Sequence, residues 1–253
     1  VLDQYAFATI RILVKAYGAE EILIPSVNYR HDVKAMAEAV NDNTKIVFVV
    51  NPNNPTGTYI REDELLYLLD NIPAHVIVLV DEAYYEYLDK PDYPDTVKLL
   101  KKYDNLVISR TFSKVYGIAG LRLGYLLSCY PVSELLHRSR MPFNVNNCAV
   151  AAGIASLEDS EFLAQTKQVN AAGLAQMENG LKALGIEYIP SVGNFITVDM
   201  KTDALDIYNK ILHKGVIVRP LVPYGLPNHL RITIGTYEQN VRMLQALGEV
   251  YHA

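Results

Sequence analysis

Cysteine is scarce in this chain of 253 residues: only Cys129 and Cys148 occur, 19 positions apart. They form no CxxC pair and stand near no histidine cluster, which excludes the usual zinc and dithiol redox spacings. Both are expected to be reduced thiols in or near the core of a cytosolic protein. The six histidines show no HxxxH spacing, so no metal site is expected. Long apolar runs are also missing. The longest, "KIVFVV" and "HVIVLV", are strand-length and far short of the ~20 residues of a membrane span, so a soluble protein is expected. Charge blocks are absent too. The net charge of −5 is spread evenly, which offers no electrostatic case for nucleic acid or an anionic membrane. No basic stretch precedes an apolar segment with a cleavage site, so no targeting signal is read. The chain lacks an initiator methionine and opens inside the strand-like "VLDQYAF", so it is expected to be incomplete at its N-terminus.

What is present is an alternation. "EEILIPS" reads as a strand and "HDVKAMAEAVND" as a helix, with Val33, Met36, Ala37 and Val40 on one face. "KIVFVV" runs into the turn cluster "NPNNPTG", and "REDELLYLLDNI" follows as a second amphipathic helix. "HVIVLV" ends at "DEAYYEY", "NLVIS" ends at "RTFSK", and "RLGYLLS" follows. Runs apolar on both faces predict an α/β fold: a buried, mostly parallel sheet clad by helices. The pattern changes near Pro142. "NVNNCAVAAGIASLED" and "SEFLAQTKQVNAAGLAQMENGLKALG" read as consecutive helices, followed by "NFITVDM", "TDALDIYNKILHKG", "VIVRP", "LRITIGT" and a closing helix, "YEQNVRMLQALGEVY". That pattern predicts a smaller C-terminal α+β domain. The expected division falls within the long helix, with residues 1–165 in the large domain and 166–253 in the small one.

Polar residues gather where the predicted parallel strands end, which is where open α/β sheets bind ligands. Asn54 follows the first such strand, Asp81 and Tyr84 the second, and Thr111, Ser113 and Lys114 the third. A lysine whose charge is disfavoured by burial or by neighbouring cations can form a Schiff base with an aldehyde. Pyridoxal 5'-phosphate needs such a lysine, an acid for its pyridine nitrogen, donors to its phenolate oxygen, and hydroxyls with an arginine for its phosphate. The sequence supplies each of these.

The ordered set "NNPTG", "DEAYYEY", "SRTFSKVYGIAGLRLGY" and "LRITIGT" resembles the fold-type I pyridoxal-phosphate aminotransferases, and within them the histidinol-phosphate branch. The resemblance covers essentially the whole chain. It implies that Lys114 bonds the cofactor and moves the proton at the substrate Cα, and that Asp81 pairs with the pyridinium nitrogen. By the same resemblance Asn54 and Tyr84 bond the phenolate oxygen, Thr111, Ser113 and Arg122 hold the phosphate, and Tyr5 stacks on the ring. Arg231, in "LRITIGT", and Arg219, in "VIVRP", would face the substrate's phosphate; two arginines suit a dianion better than a carboxylate. Asn194, in "SVGNF", is a further substrate-side candidate.

The implied reaction is transamination of L-histidinol phosphate with 2-oxoglutarate in a cytoplasmic homodimer with a shared active site. Aromatic amino acid transamination, threonine-phosphate decarboxylation and a cofactor-sensing domain without catalysis are the alternatives. The resemblance also implies roughly a hundred preceding residues, including a glycine-rich phosphate loop at a helix N-terminus. Their absence leaves the activity of this segment alone open.

Overall fold

A computed structural model describes residues 1–251. Its first half builds one sheet. The strands are β1 (Leu2–Asp3), β2 (Leu23–Ile24), β3 (Ile46–Val50), β4 (Ile77–Asp81), β5 (Leu106–Thr111) and β6 (Gly124–Ser128), in spatial order β2-β1-β3-β4-β5-β6. All neighbours are parallel except β5 and β6, which run antiparallel. The largely parallel sheet is as expected. Its last strand is different: β6 lies at the edge and is half exposed, not buried on both faces. An apolar run carries no record of strand direction.

On one face, Val47, Val49, Val78, Val80, Leu106 and Ile108 alternate inward. They pack against Met36 of α2 (Val33–Glu38) and Leu65, Leu68 and Leu69 of α3 (Glu62–Asn71). Helix α2 begins where the Asp32 carboxylate accepts the Ala35 N–H at 3.1 Å. The other face of β1 and β3 is covered by Ile10 of α1 (Ala8–Ala16). Sequence periodicity missed α1, because Ile10, Ile12, Leu13 and Val14 crowd it with branched residues suited equally to a strand.

After the short α4 (Thr96–Leu99) before β5, the connection to the second sheet runs through α5 (Tyr130–Ser139), α6 (Asn147–Glu158) and the long α7 (Ser160–Ala183), the last capped by the Asp159 carboxylate at Phe162 N–H. The second sheet holds β7 (Glu187–Ile189), β8 (Phe195–Asp199), β9 (Arg219–Leu221) and β10 (Leu226–Thr233) in the order β7-β8-β10-β9, all antiparallel. Its core joins Met177 and Leu181 of α7, Ile196 and Val198, Ile207 and Ile211 of α8 (Ala204–His213), and Met243 and Leu247 of α9 (Tyr237–Tyr251). "VIVRP" yields a strand only from Arg219 onward.

Both cysteines are free, as expected. Cys148 is a correction: it lies on the exposed side of α6, not in or near the core. Among the described residues no helix is long and apolar enough to cross a membrane, and no group of three or more His, Cys, Asp or Glu could hold a metal ion.

Candidate functional site

The strands β3, β4 and β5 end side by side, with Val50 opposite Asp81 and Asp81 opposite Ser109. This register brings the loops bearing Asn54, Tyr84 and Lys114 to one crevice, where open α/β sheets bind ligands.

Asp81 closes β4. Its carboxylate accepts the Ala83 N–H at 3.1 Å and a hydrogen bond from the Ser109 side chain. Burial raises its pKa above the ordinary aspartate value, opposed by these hydrogen bonds and by the Lys114 charge. No ion pair reaches it among the described residues, so it is a carboxylate still short of a cationic donor. Tyr84 is buried, with its ring edge-on to Phe195 at 5.2 Å. Its hydroxyl is pushed up to about 12, chiefly by burial, so it acts as a hydrogen-bond donor.

Lys114 is half-buried, with its Nζ 5.3 Å from the centre of the Tyr84 ring. Burial first, then the charge of Arg231, lowers its pKa; Asp81 opposes and Arg122 adds to the lowering. Two of the three predicted phosphate contacts shape the same turn. Thr111 Oγ1 accepts the Ser113 N–H at 3.0 Å. Arg122 is exposed, left-handed at φ 57°, and donates to Ala119 O at 2.8 Å. A non-glycine residue held there costs about 1–3 kcal/mol.

The "NPNNPTG" turn is buried throughout, from Asn51 to Gly57, and carries cis peptides before Pro52 and Pro55. The second sheet clamps it. Thr197 Oγ1 donates to Pro55 O, Val192 N–H donates to Gly57 O at 2.9 Å, and Arg231 Nη1 donates to Asn54 Oδ1. With its oxygen taken by Arg231, the Asn54 amide is oriented so that its NH₂ can donate elsewhere.

Arg231 lies on β10 with its guanidinium 5.2 Å from the Phe195 ring, and its Nε is buried without a partner. Arg219 of β9 is its direct antiparallel neighbour. Like charges directly opposite destabilise a sheet pair unless an anion lies between them. Tyr5 follows β1 and packs 6.1 Å from the Tyr29 ring, against Leu221, Tyr224 and Leu226. Asn194 precedes β8 and hydrogen-bonds the Tyr87 hydroxyl, so its side chain is already engaged.

Sequence reasoning missed the residues beneath this layer. Glu82 is fully buried and accepts from Arg110 Nε at 2.8 Å and Thr96 Oγ1 at 2.7 Å. The Arg110 guanidinium lies 3.9 Å from the Tyr85 ring. Adjacency to Asp81 and Thr111 in "DEAYY" and "SRTFSK" was the available signal.

Comparisons with known proteins find relatives along nearly the whole chain. The family model described as aminotransferase class I and II matches residues 1–247. Histidinol-phosphate aminotransferase 2 of Pseudomonas fluorescens is 50% identical over 250 residues, covering 99% of this chain and 68% of that protein. Histidinol-phosphate aminotransferase 1 of Nitrosococcus oceani is 47% identical over the same shares. Among solved structures, histidinol-phosphate aminotransferase from Sinorhizobium meliloti in complex with pyridoxal-5'-phosphate superposes with a TM-score of 0.90 at 27% identity, covering 100% of this chain and 70% of that one.

Proposed function

The chain belongs to the class I and II aminotransferases, and within that family we propose that it transfers the amino group of L-histidinol phosphate to 2-oxoglutarate, using pyridoxal 5'-phosphate. The observation that carries this reading is the convergence of Lys114, Asp81, Tyr84 and the Arg231-bound Asn54 at the ends of adjacent strands. The donor set suits the cofactor. Asp81 lacks a cationic donor, which a pyridinium N–H would provide, and Lys114 is a partly desolvated amine with no carboxylate bonded to it.

When bound, the cofactor supplies an aldehyde that takes up the amino group and a ring that accepts the electron pair released at Cα. Lys114 Nζ would accept the Cα proton of the donor and deliver it to the aldehyde-derived carbon of the cofactor, the transfer that leaves the amino group there. Its lowered pKa favours the neutral, proton-accepting form. Asp81 would hold the ring nitrogen protonated, and Tyr84 and Asn54 Nδ2 would donate to the phenolate oxygen. Thr111, Ser113 and Arg122 would hold the phosphate ester, and Tyr5 is assigned to the ring face.

Arg219 and Arg231 bind the substrate phosphate. Their cross-strand register supports a dianionic group there. Asn194, immediately before β8, is assigned to the substrate side. The reaction belongs to histidine biosynthesis and runs in the cytoplasm, with residues 1–165 as the large domain and 166–253 as the small one. Exposed apolar side chains, among them Leu135, Met141, Phe143 and Ile154, support pairing with a second copy.

The test is a coupled assay of glutamate formation from 2-oxoglutarate, with L-histidinol phosphate, L-histidinol and L-phenylalanine as competing donors. Turnover that prefers the phosphorylated amine at least tenfold in kcat/KM supports the reading. Equal use of L-histidinol removes the phosphate from it.

A further inference from the structure

A mirror-image turn lies between β2 and α2. Val27 and Arg30 exchange both backbone hydrogen bonds at 3.0 Å, and the two residues between them, Asn28 and Tyr29, are left-handed at φ 52° and 61°. Turns of this hand favour asparagine followed by glycine, so a bulky tyrosine in the second place is held against its backbone preference. What it gains is contact. The Thr58 hydroxyl donates to Tyr29 O at 2.8 Å. The Tyr29 ring reaches two others, 6.1 Å from Tyr5 at a tilt of 30° and 5.7 Å from His229, edge-on.

His229 belongs to the second sheet. It lies on β10, 6% exposed, and its Nε2 shares a hydrogen bond of 3.3 Å with the Tyr29 hydroxyl. Its Nδ1 is buried without a partner, so the Tyr29 hydroxyl is the hydrogen-bond partner of this side chain among the described residues. Burial lowers the His229 pKa, opposed by the Asp199 charge. Leu230 and Ile232 point into the second core, so strand alternation puts His229 and Arg231 together on the other face. Tyr29 therefore touches Tyr5 on one side and the same-face neighbour of Arg231 on the other.

We propose that Tyr29 is a positioning residue that joins the two halves of the crevice, its ring backing Tyr5 and its hydroxyl fixing β10 through His229. The proposal rests on the reading of Tyr5 as the ring-stacking residue and of Arg231 as a phosphate-binding one. Tyr29 itself touches none of the reacting atoms.

The first test needs neither cofactor nor substrate. In nitrogen-15 NMR of the histidine side chains, with His229 assigned through His229→Gln, the Nε2 resonance should move in Tyr29→Phe, which keeps the ring and removes only the hydroxyl. A resonance unchanged from the parent overturns the link to β10.

The second test separates ring from hydroxyl. Tyr29→Gly suits the left-handed turn and removes the ring, and it should weaken pyridoxal 5'-phosphate affinity on the order of tenfold alone but little in a Tyr5→Ala background. Tyr29→Phe should keep the cofactor affinity and kcat while raising KM for L-histidinol phosphate on the order of fivefold. Additive losses in the first cycle, or an unchanged KM in Tyr29→Phe, overturn the positioning role. If Tyr5→Ala alone leaves affinity unchanged, the stacking reading of Tyr5 fails and the ring half of the proposal falls with it. If the parent does not turn over L-histidinol phosphate, the proposed reaction fails instead, and the resonance and the affinity cycle decide the role of Tyr29.

Discussion

Arg219 and Arg231 face each other directly across the β9–β10 ladder, and Arg231 also donates to Asn54 in the turn below β3. One guanidinium therefore joins the proposed phosphate-binding strand pair to the amide proposed to face the cofactor. Arg231→Gln is expected to raise KM for L-histidinol phosphate at least tenfold, with a smaller fall in kcat. Arg231→Lys should recover only part of this, because an ammonium cannot hold Asn54 and a phosphate in one planar fork. Steady-state kinetics check both.

Gly57 lies hard against Ser191 in the loop before β8. Its φ is +77°, and an added Cβ would lie 2.3 Å from Ser191 Oγ and 3.0 Å from the Ser191 backbone. Gly57→Ala is expected to destabilise the fold by about 1–3 kcal/mol. A thermal melt should show the loss, with Gly18→Ala, where nothing lies within 4 Å, as the control with comparable backbone strain.

The buried Glu82–Arg110 pair stabilises the strand ends only as a pair. Arg110→Met leaves Glu82 desolvated beside Thr96 and Tyr93, with an expected loss of about 3–5 kcal/mol. Denaturant unfolding measures it.

The site charges carry a stability cost with a definite pH sign. Burial raises Asp81 above its unfolded value. Its ionised form therefore weakens the fold at neutral pH, and the cost fades as pH falls through the folded value to the unfolded one. Lys114 is lowered, chiefly by burial, so its charge costs stability at neutral pH and the cost fades as pH rises through the folded value toward the unfolded one. Asp81→Asn and Lys114→Met should each melt higher than the parent without cofactor near neutral pH. The first advantage should shrink in acid and the second in alkali, while both variants lose transamination.

The parallel sheet was legible because Val47, Val49, Val78 and Val80 belong to runs too apolar for a one-sided strand. The crevice was legible because its polar residues follow those runs directly. The antiparallel turn of β6 was not, since strand direction depends on the chain's path. Helix α1 was hidden by its branched residues. Tyr29 and His229 lie 200 positions apart, and only the packing of the second sheet against the loop after β2 brings them together. Arg219 and Arg231 were each visible, but their pairing depends on a register shift between Leu226 and Leu230.

The most direct test of the central claim is an absorbance titration with pyridoxal 5'-phosphate, comparing the parent with Lys114→Ala and then adding L-histidinol phosphate. The account predicts a visible band in the parent that is missing in Lys114→Ala and bleaches when the amine is added. The same band in Lys114→Ala, or one in the parent that the amine leaves unchanged, would contradict it.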